Sequence, residues 1–140
     1  MSTSLKIKSE ENLKLAQKIV TSKNGFYASS IHCSYYSCVQ LMLHILRIDL
    51  GKSDDDVHKE SIEGSKNENG FHNWLITIIV REFFRRNPKK ASEFNNRIGE
   101  LKGVRVKADY QNSLIKEPKA KEALKYAELI MEDLIMHFKI

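Results

Sequence analysis

"FYASSIHCSYYSCVQLMLHILRIDL", Phe26 to Leu50, decides the fold. Ile31, Tyr35, Cys38, Met42 and Ile45 recur at spacings of four and three, the period of one helix face. Tyr36, Val39, Leu43 and Leu46 fill a second face. A helix apolar over so much of its circumference must be buried among several neighbours. This segment is therefore the expected centre of an all-α bundle.

The flanking segments supply those neighbours. Leu13, Ala16 and Val20 make a stripe over roughly residues 9–23, with Ser9 as the expected N-cap and Glu10 and Glu11 in the first turn. Gly25 is free to take the left-handed conformation that ends it. Phe71, Trp74, Leu75, Ile78, Ile79 and Phe83 form a third stripe that stops at "RRNP". There Asn87 can cap the next helix and Pro88 can open it. Ala91, Phe94, Ile98, Leu101 and Val104 carry the fourth stripe. "GVRVKADY", Gly103 to Tyr110, alternates like a strand in part, but its phase continues the helical stripe. "QNSLIKEP", from Gln111, reads as a turn, and Pro118 starts a last helix with Ala120, Ala123, Leu124, Ala127, Met131, Leu134 and Phe138 inward.

Gly51 to Gly70 is polar and lacks periodicity, so a long exposed loop is expected over 51–70. Asp54, Asp55 and Asp56 read as a solvated charge run, because adjacent acids lack the alternate-residue spacing of a calcium loop. The expectation is a single domain over 1–140, a four- to five-helix up-and-down bundle.

Composition agrees with that class. Of 140 residues, 41% are apolar and 29% charged, with only two prolines and six glycines. "CVQLMLHIL" is too short to span a bilayer, and "MSTSLKIKSEENLK" has no apolar signal core. No membrane association and a cytoplasmic location are expected. Cys33 and Cys38, the only cysteines, would point ~140° apart on one helix and read as small buried hydrophobes. No Walker loop, GxGxxG, HExxH or CxxC pair occurs. None of the five histidines has another His or Cys at helical ligand spacing, so neither a metal nor a cofactor is expected. His44 and His137 read as surface or boundary residues.

The net charge is +5, and Arg81 to Lys107 carries nine Lys or Arg against three Glu, leaving −1 for the rest. Such a field invites a polyanion. Within this segment Arg105 lies seven residues after Ile98, nearly in line with the apolar face. Asp109 follows it by one turn and Tyr110 comes next. If the third and fourth helices are antiparallel, His72 at the start of one meets Arg105, Asp109 and Tyr110 at the end of the other. Tyr35 and Tyr36 are further polar groups in an apolar setting.

At these residues the chain resembles the HEPN domain family. "NGFYASSIHCSYYSCVQLMLHIL" is similar to the family's second helix, "NENGFHNWLITIIVREFF" to its third, and "LKGVRVKADY" to the end of its fourth in small stand-alone members. The resemblance covers about Ser9 to Phe138. It implies a helical bundle that forms homodimers, is often encoded beside a minimal nucleotidyltransferase, and binds nucleotide or RNA. Many members are metal-independent endoribonucleases, including toxins, whose sites pair an Arg with a His four to six residues on. Arg105 matches the arginine. Tyr110, Gln111 and Asn112 stand where the histidine is expected, and no His follows until His137. The resemblance therefore implies a non-catalytic nucleotide- or RNA-binding module. Its binding candidates are Arg105, Asp109, Tyr110, His72, Lys107 and Tyr36. The alternatives are a degenerate ribonuclease or toxin using His72 and Arg105, and the helical partner subunit of a nucleotidyltransferase.

Overall fold

The computed structural model describes residues 4–68, 70–110 and 114–140. The expected turn at Gln111, Asn112 and Ser113 lies outside the described residues. The chain is all-α, with six helices and no strand among the described residues: α1 (Ser4–Ser22), α2 (Tyr27–Ile48), α3 (Asp54–Glu68), α4 (Phe71–Arg86), α5 (Pro88–Tyr110) and α6 (Glu117–Phe138). The expected count of four to five is therefore low.

The added helix is α3, which replaces most of the loop expected over 51–70. Ser53 and Asp56 explain it. The Ser53 hydroxyl accepts from the Asp56 amide at 3.1 Å, and the Asp56 carboxylate accepts from the Ser53 amide at 3.2 Å. This is a reciprocal capping box. Asp54, Asp55 and Asp56 occupy the first turn, where negative charge complements the helix dipole. The bonds from Ser53 also hold the Asp56 carboxyl below its ordinary pKa. The acidic run is a helix start.

α2 is the central helix. It packs against α1, α4, α5 and α6. Ile31, Tyr35, Cys38, Met42 and Ile45 are all buried, as their spacing requires. Of the second face, Val39 and Leu46 are buried while Tyr36 and Leu43 are half-buried. Small residues bring α1 close. Ser9 donates to the Ser37 carbonyl at 2.5 Å and Ser30 to the Ala16 carbonyl at 3.1 Å. Ser9 thus lies inside α1, buried, and is not its cap; the helix begins five residues earlier than its apolar stripe suggests.

Two further expectations change with this packing. His44 is buried, at 2% exposure, and is not a surface residue. Burial, with Lys6 nearby, lowers its pKa. Cys38 is buried and its thiol is pushed up to about 12 by desolvation, but Cys33 is only half-buried.

The α4–α5 junction forms as read. The Asn87 side chain accepts from the Lys90 amide at 3.1 Å, and α5 opens at Pro88. Phe83 and Phe94 stack across the two helices at 5.5 Å. Arg97 of α5 donates to Asp133 of α6 at 2.8 Å. No helix is long and apolar enough to cross a membrane among the described residues.

Candidate functional site

The polar cluster sits where the start of α4 and the end of α5 meet the first half of α2. Gly70 positions α4. Its φ of +121° lets the chain turn into the helix, and its carbonyl accepts the Trp74 amide at 3.0 Å. His72 then enters the first turn. Its Nδ1 lies 2.9 Å from the hydroxyl of Tyr35. Tyr35 is fully buried, and that burial raises its pKa, so the phenol stays protonated. When the hydroxyl donates to Nδ1, the imidazole carries its proton on Nε2.

Arg105 lies over these rings. Its Cζ is 5.0 Å from the Tyr35 centroid and 5.9 Å from that of Tyr36, within cation–π range. The side chain is only 14% exposed. Nη1 donates to Asp109 Oδ2 at 3.2 Å, the one hydrogen bond of this guanidinium among the described residues. Nε is buried without a partner among the described residues. Asp109 also lies 3.7 Å from His32 Nδ1, and the His32 ring packs on Tyr36 at 4.5 Å. Lys102, one turn before Arg105, donates to the Asn73 side chain.

The electrostatics follow from this crowding. Burial first, and then Arg105 and Lys102, lower the pKa of His72, so the imidazole is neutral near pH 7. Burial and then Arg105 lower the pKa of Lys102. Each cation here is held near another, with one carboxylate, Asp109, opposite.

Of the residues singled out from sequence, His72, Arg105, Asp109 and Tyr36 share this cluster. Tyr110 does not join it. It is 79% exposed and makes no hydrogen bond or ring contact among the described residues. Lys107 lines a separate cavity on another side of α5. Tyr35, which the sequence marks as a polar group in an apolar setting, joins the cluster, and His32, Lys102 and Asn73, which the sequence reading does not single out, complete it. Helical spacing could have found two of them. Lys102, Arg105 and Asp109 lie at i, i+3 and i+7 on one face, and His32 stands one turn before Tyr36.

The basic segment is not one patch. Arg81, Arg85, Arg86 and Lys89 surround the α4–α5 junction, whereas Arg105 lies roughly 24 Å along α5 from Lys89. Arg86 pairs with Asp49 at 2.7 Å, and Arg97 and Lys90 with Asp133 at 2.8 and 3.8 Å. Much of the charge that drew attention to this segment is neutralised by the fold. No group of three or more His, Cys, Asp and Glu is placed to hold a metal ion among the described residues. No family model, curated protein or solved structure matches this chain.

Proposed function

We propose that the chain is a HEPN-like, non-catalytic module that binds the phosphate of a nucleotide or RNA at the Arg105 cluster. The observation that carries this reading is the guanidinium itself. Of the five N–H donors of Arg105, Asp109 takes one among the described residues and the Nε–H is buried, which leaves three on the terminal nitrogens. A planar fork held by aromatic faces and one carboxylate is suited to a phosphate. Lys102 adds a second cation, and neutral His72 adds a donor or an acceptor without repelling the ligand.

The test is binding of single-stranded RNA to the intact chain across a salt series. Two phosphate contacts give a log–log slope of roughly −1.4, at about 0.7 per phosphate on a single strand. Arg105→Ala should remove about half of that slope and weaken binding at low salt. Arg105→Lys keeps the charge but loses the fork, so it should retain the slope and still bind less tightly. RNA affinity independent of both salt and Arg105 would exclude the proposal.

A second reading rests on the Tyr35–His72 pair. In the other tautomer, with Nδ1–H donating to the Tyr35 oxygen, a neutral imidazole beside an arginine has Nε2 free to accept a proton, which is what a metal-independent ribonuclease needs. Cleavage of RNA in the presence of a chelator, abolished by His72→Ala, would establish it. Intact RNA after that incubation would leave the binding module.

A further inference from the structure

Across α5 from the polar cluster lies a cavity of about 430 Å³. A helix turns ~100° per residue, so Gly99, Gly103 and Lys107 stack one turn apart on the side of α5 opposite Arg105. The start of α6 forms a second wall, and the buried Ile31 of α2 lies beneath. The volume falls within the range of about 300–1,000 Å³ typical of small-molecule sites.

The glycines are informative. Glycine inside a helix weakens it relative to alanine, so its presence asks for a reason. Close packing against the described residues is not that reason, because none of them lies within 4 Å of a β-carbon built on Gly99 or Gly103. What the missing side chains leave is a bare stretch of backbone, against which a flat ring can lie. Ile31, Val104, Leu114 and Ile115 supply the apolar remainder.

The charge on the lining is uneven. Lys107, Lys116 and Lys119 face Glu100 and Glu122. Glu122 is already engaged by Lys119 at 3.3 Å. Lys107, Lys116 and Glu100 form no ion pair with a described residue, so the lining carries a net excess of one positive charge beside an apolar wall. Such a site complements a ligand with a flat apolar body and one acidic group.

We propose that this cavity binds a planar aromatic anion, its ring against the Gly99–Gly103 backbone and its acid group at Lys107 and Lys116. The proposal does not rest on the reading of the Arg105 cluster. The test uses the full chain with 8-anilinonaphthalene-1-sulfonate, followed by fluorescence and calorimetry. Saturable one-site binding is expected. Gly103→Leu, which fills the cavity, should weaken it at least tenfold without lowering the thermal midpoint, and Gly99→Leu should do the same. Lys107→Ala with Lys116→Ala should weaken it severalfold, and Arg105→Ala should leave it unchanged. Neutral N-phenyl-1-naphthylamine should bind at least tenfold more weakly than the sulfonate. Comparing 1-naphthoate with 1-naphthyl phosphate then tells which acid group the lysines prefer. Undiminished binding in folded Gly103→Leu or Gly99→Leu, equal affinity for the neutral probe, or no saturable binding of any of these anions at 1 mM would overturn the proposal.

Discussion

Replacing Gly64 by alanine tests how α3 is held. A β-carbon built on Gly64 would lie 2.7 Å from Trp74 Cγ and closer still to Cδ1 and Nε1. Ordinary carbon–carbon contact is about 3.5–4.0 Å, so α3 must retreat by on the order of 1–2 Å or the indole must leave its place. The indole has little room to move. Trp74 is 5% exposed and packs on Phe71 at 5.7 Å between ring centroids. Exposing about a third of an indole that buries roughly 200 Å² loses roughly 1.5 kcal/mol at about 25 cal/mol per Å². Residual strain adds on the order of 1–2 kcal/mol, and the better helix propensity of alanine offsets about 1 kcal/mol. The net expectation is a loss of about 1–3 kcal/mol. Gly99→Ala and Gly103→Ala, where a β-carbon meets nothing among the described residues, should instead stabilise the chain by up to about 1 kcal/mol each. Urea denaturation followed by circular dichroism gives the free energies. Emission from Trp74, the one tryptophan of the chain, reports the α3 contact directly. If Gly64→Ala is as stable as the wild type and its emission is unshifted, α3 does not rest on Trp74 in this way.

Other consequences are equally direct. Ser53→Ala removes the acceptor for the Asp56 amide, and should cost about 1 kcal/mol while lowering the helicity of α3; an unchanged urea midpoint would contradict the capping box. Tyr35→Phe leaves His72 Nδ1 without its buried partner and should cost about 0.5–1.5 kcal/mol, read by the same titration; a more stable variant would contradict that bond. His72 and His44 both have folded pKa values below the ordinary histidine value of about 6.5. The unfolded chain therefore binds more protons as pH falls, so the stability they contribute is full above about pH 6.5 and is lost as pH falls through the folded values. Thermal midpoints between pH 7.5 and 5 should decline, and less steeply in His44→Gln; a profile unaltered by that substitution would show that His44 is not buried neutral.

The elements that were legible in the sequence carry their own packing signal. The α2 stripe of Ile31, Tyr35, Cys38, Met42 and Ile45 is visible because large side chains mark the buried face. The start of α5 is visible because Asn87 and Pro88 act locally. α3 was not legible because its buried contact uses the smallest residue, Gly64, against a Trp74 ten positions away in the chain. The acids that begin it resemble a loop until Ser53 is recognised as their cap. Ser9 misled for a related reason, since a serine that lets two helices approach looks like one that caps. The site was legible only along single helices. Arg105 and Asp109 pair at i, i+4, a local relation. Tyr35 and His72 meet across 37 positions, and only the fold joins them. Tyr110 follows Asp109 in sequence, yet one step along a helix turns it ~100° away, out of the cluster and into solvent.

The measurement that tests the central claim most directly is a nuclear magnetic resonance titration of His72 and the Arg105 side chain with a nucleoside monophosphate. A phosphate bound at Arg105 places negative charge beside His72, so its pKa should rise, and the Arg105 Nε–H resonance should shift in the same titration. Arg105→Ala should abolish the change at His72. If nucleotide at millimolar concentration leaves both His72 and Arg105 unmoved, the cluster is a packing network that ties α2, α4 and α5 together, and phosphate binding there is wrong.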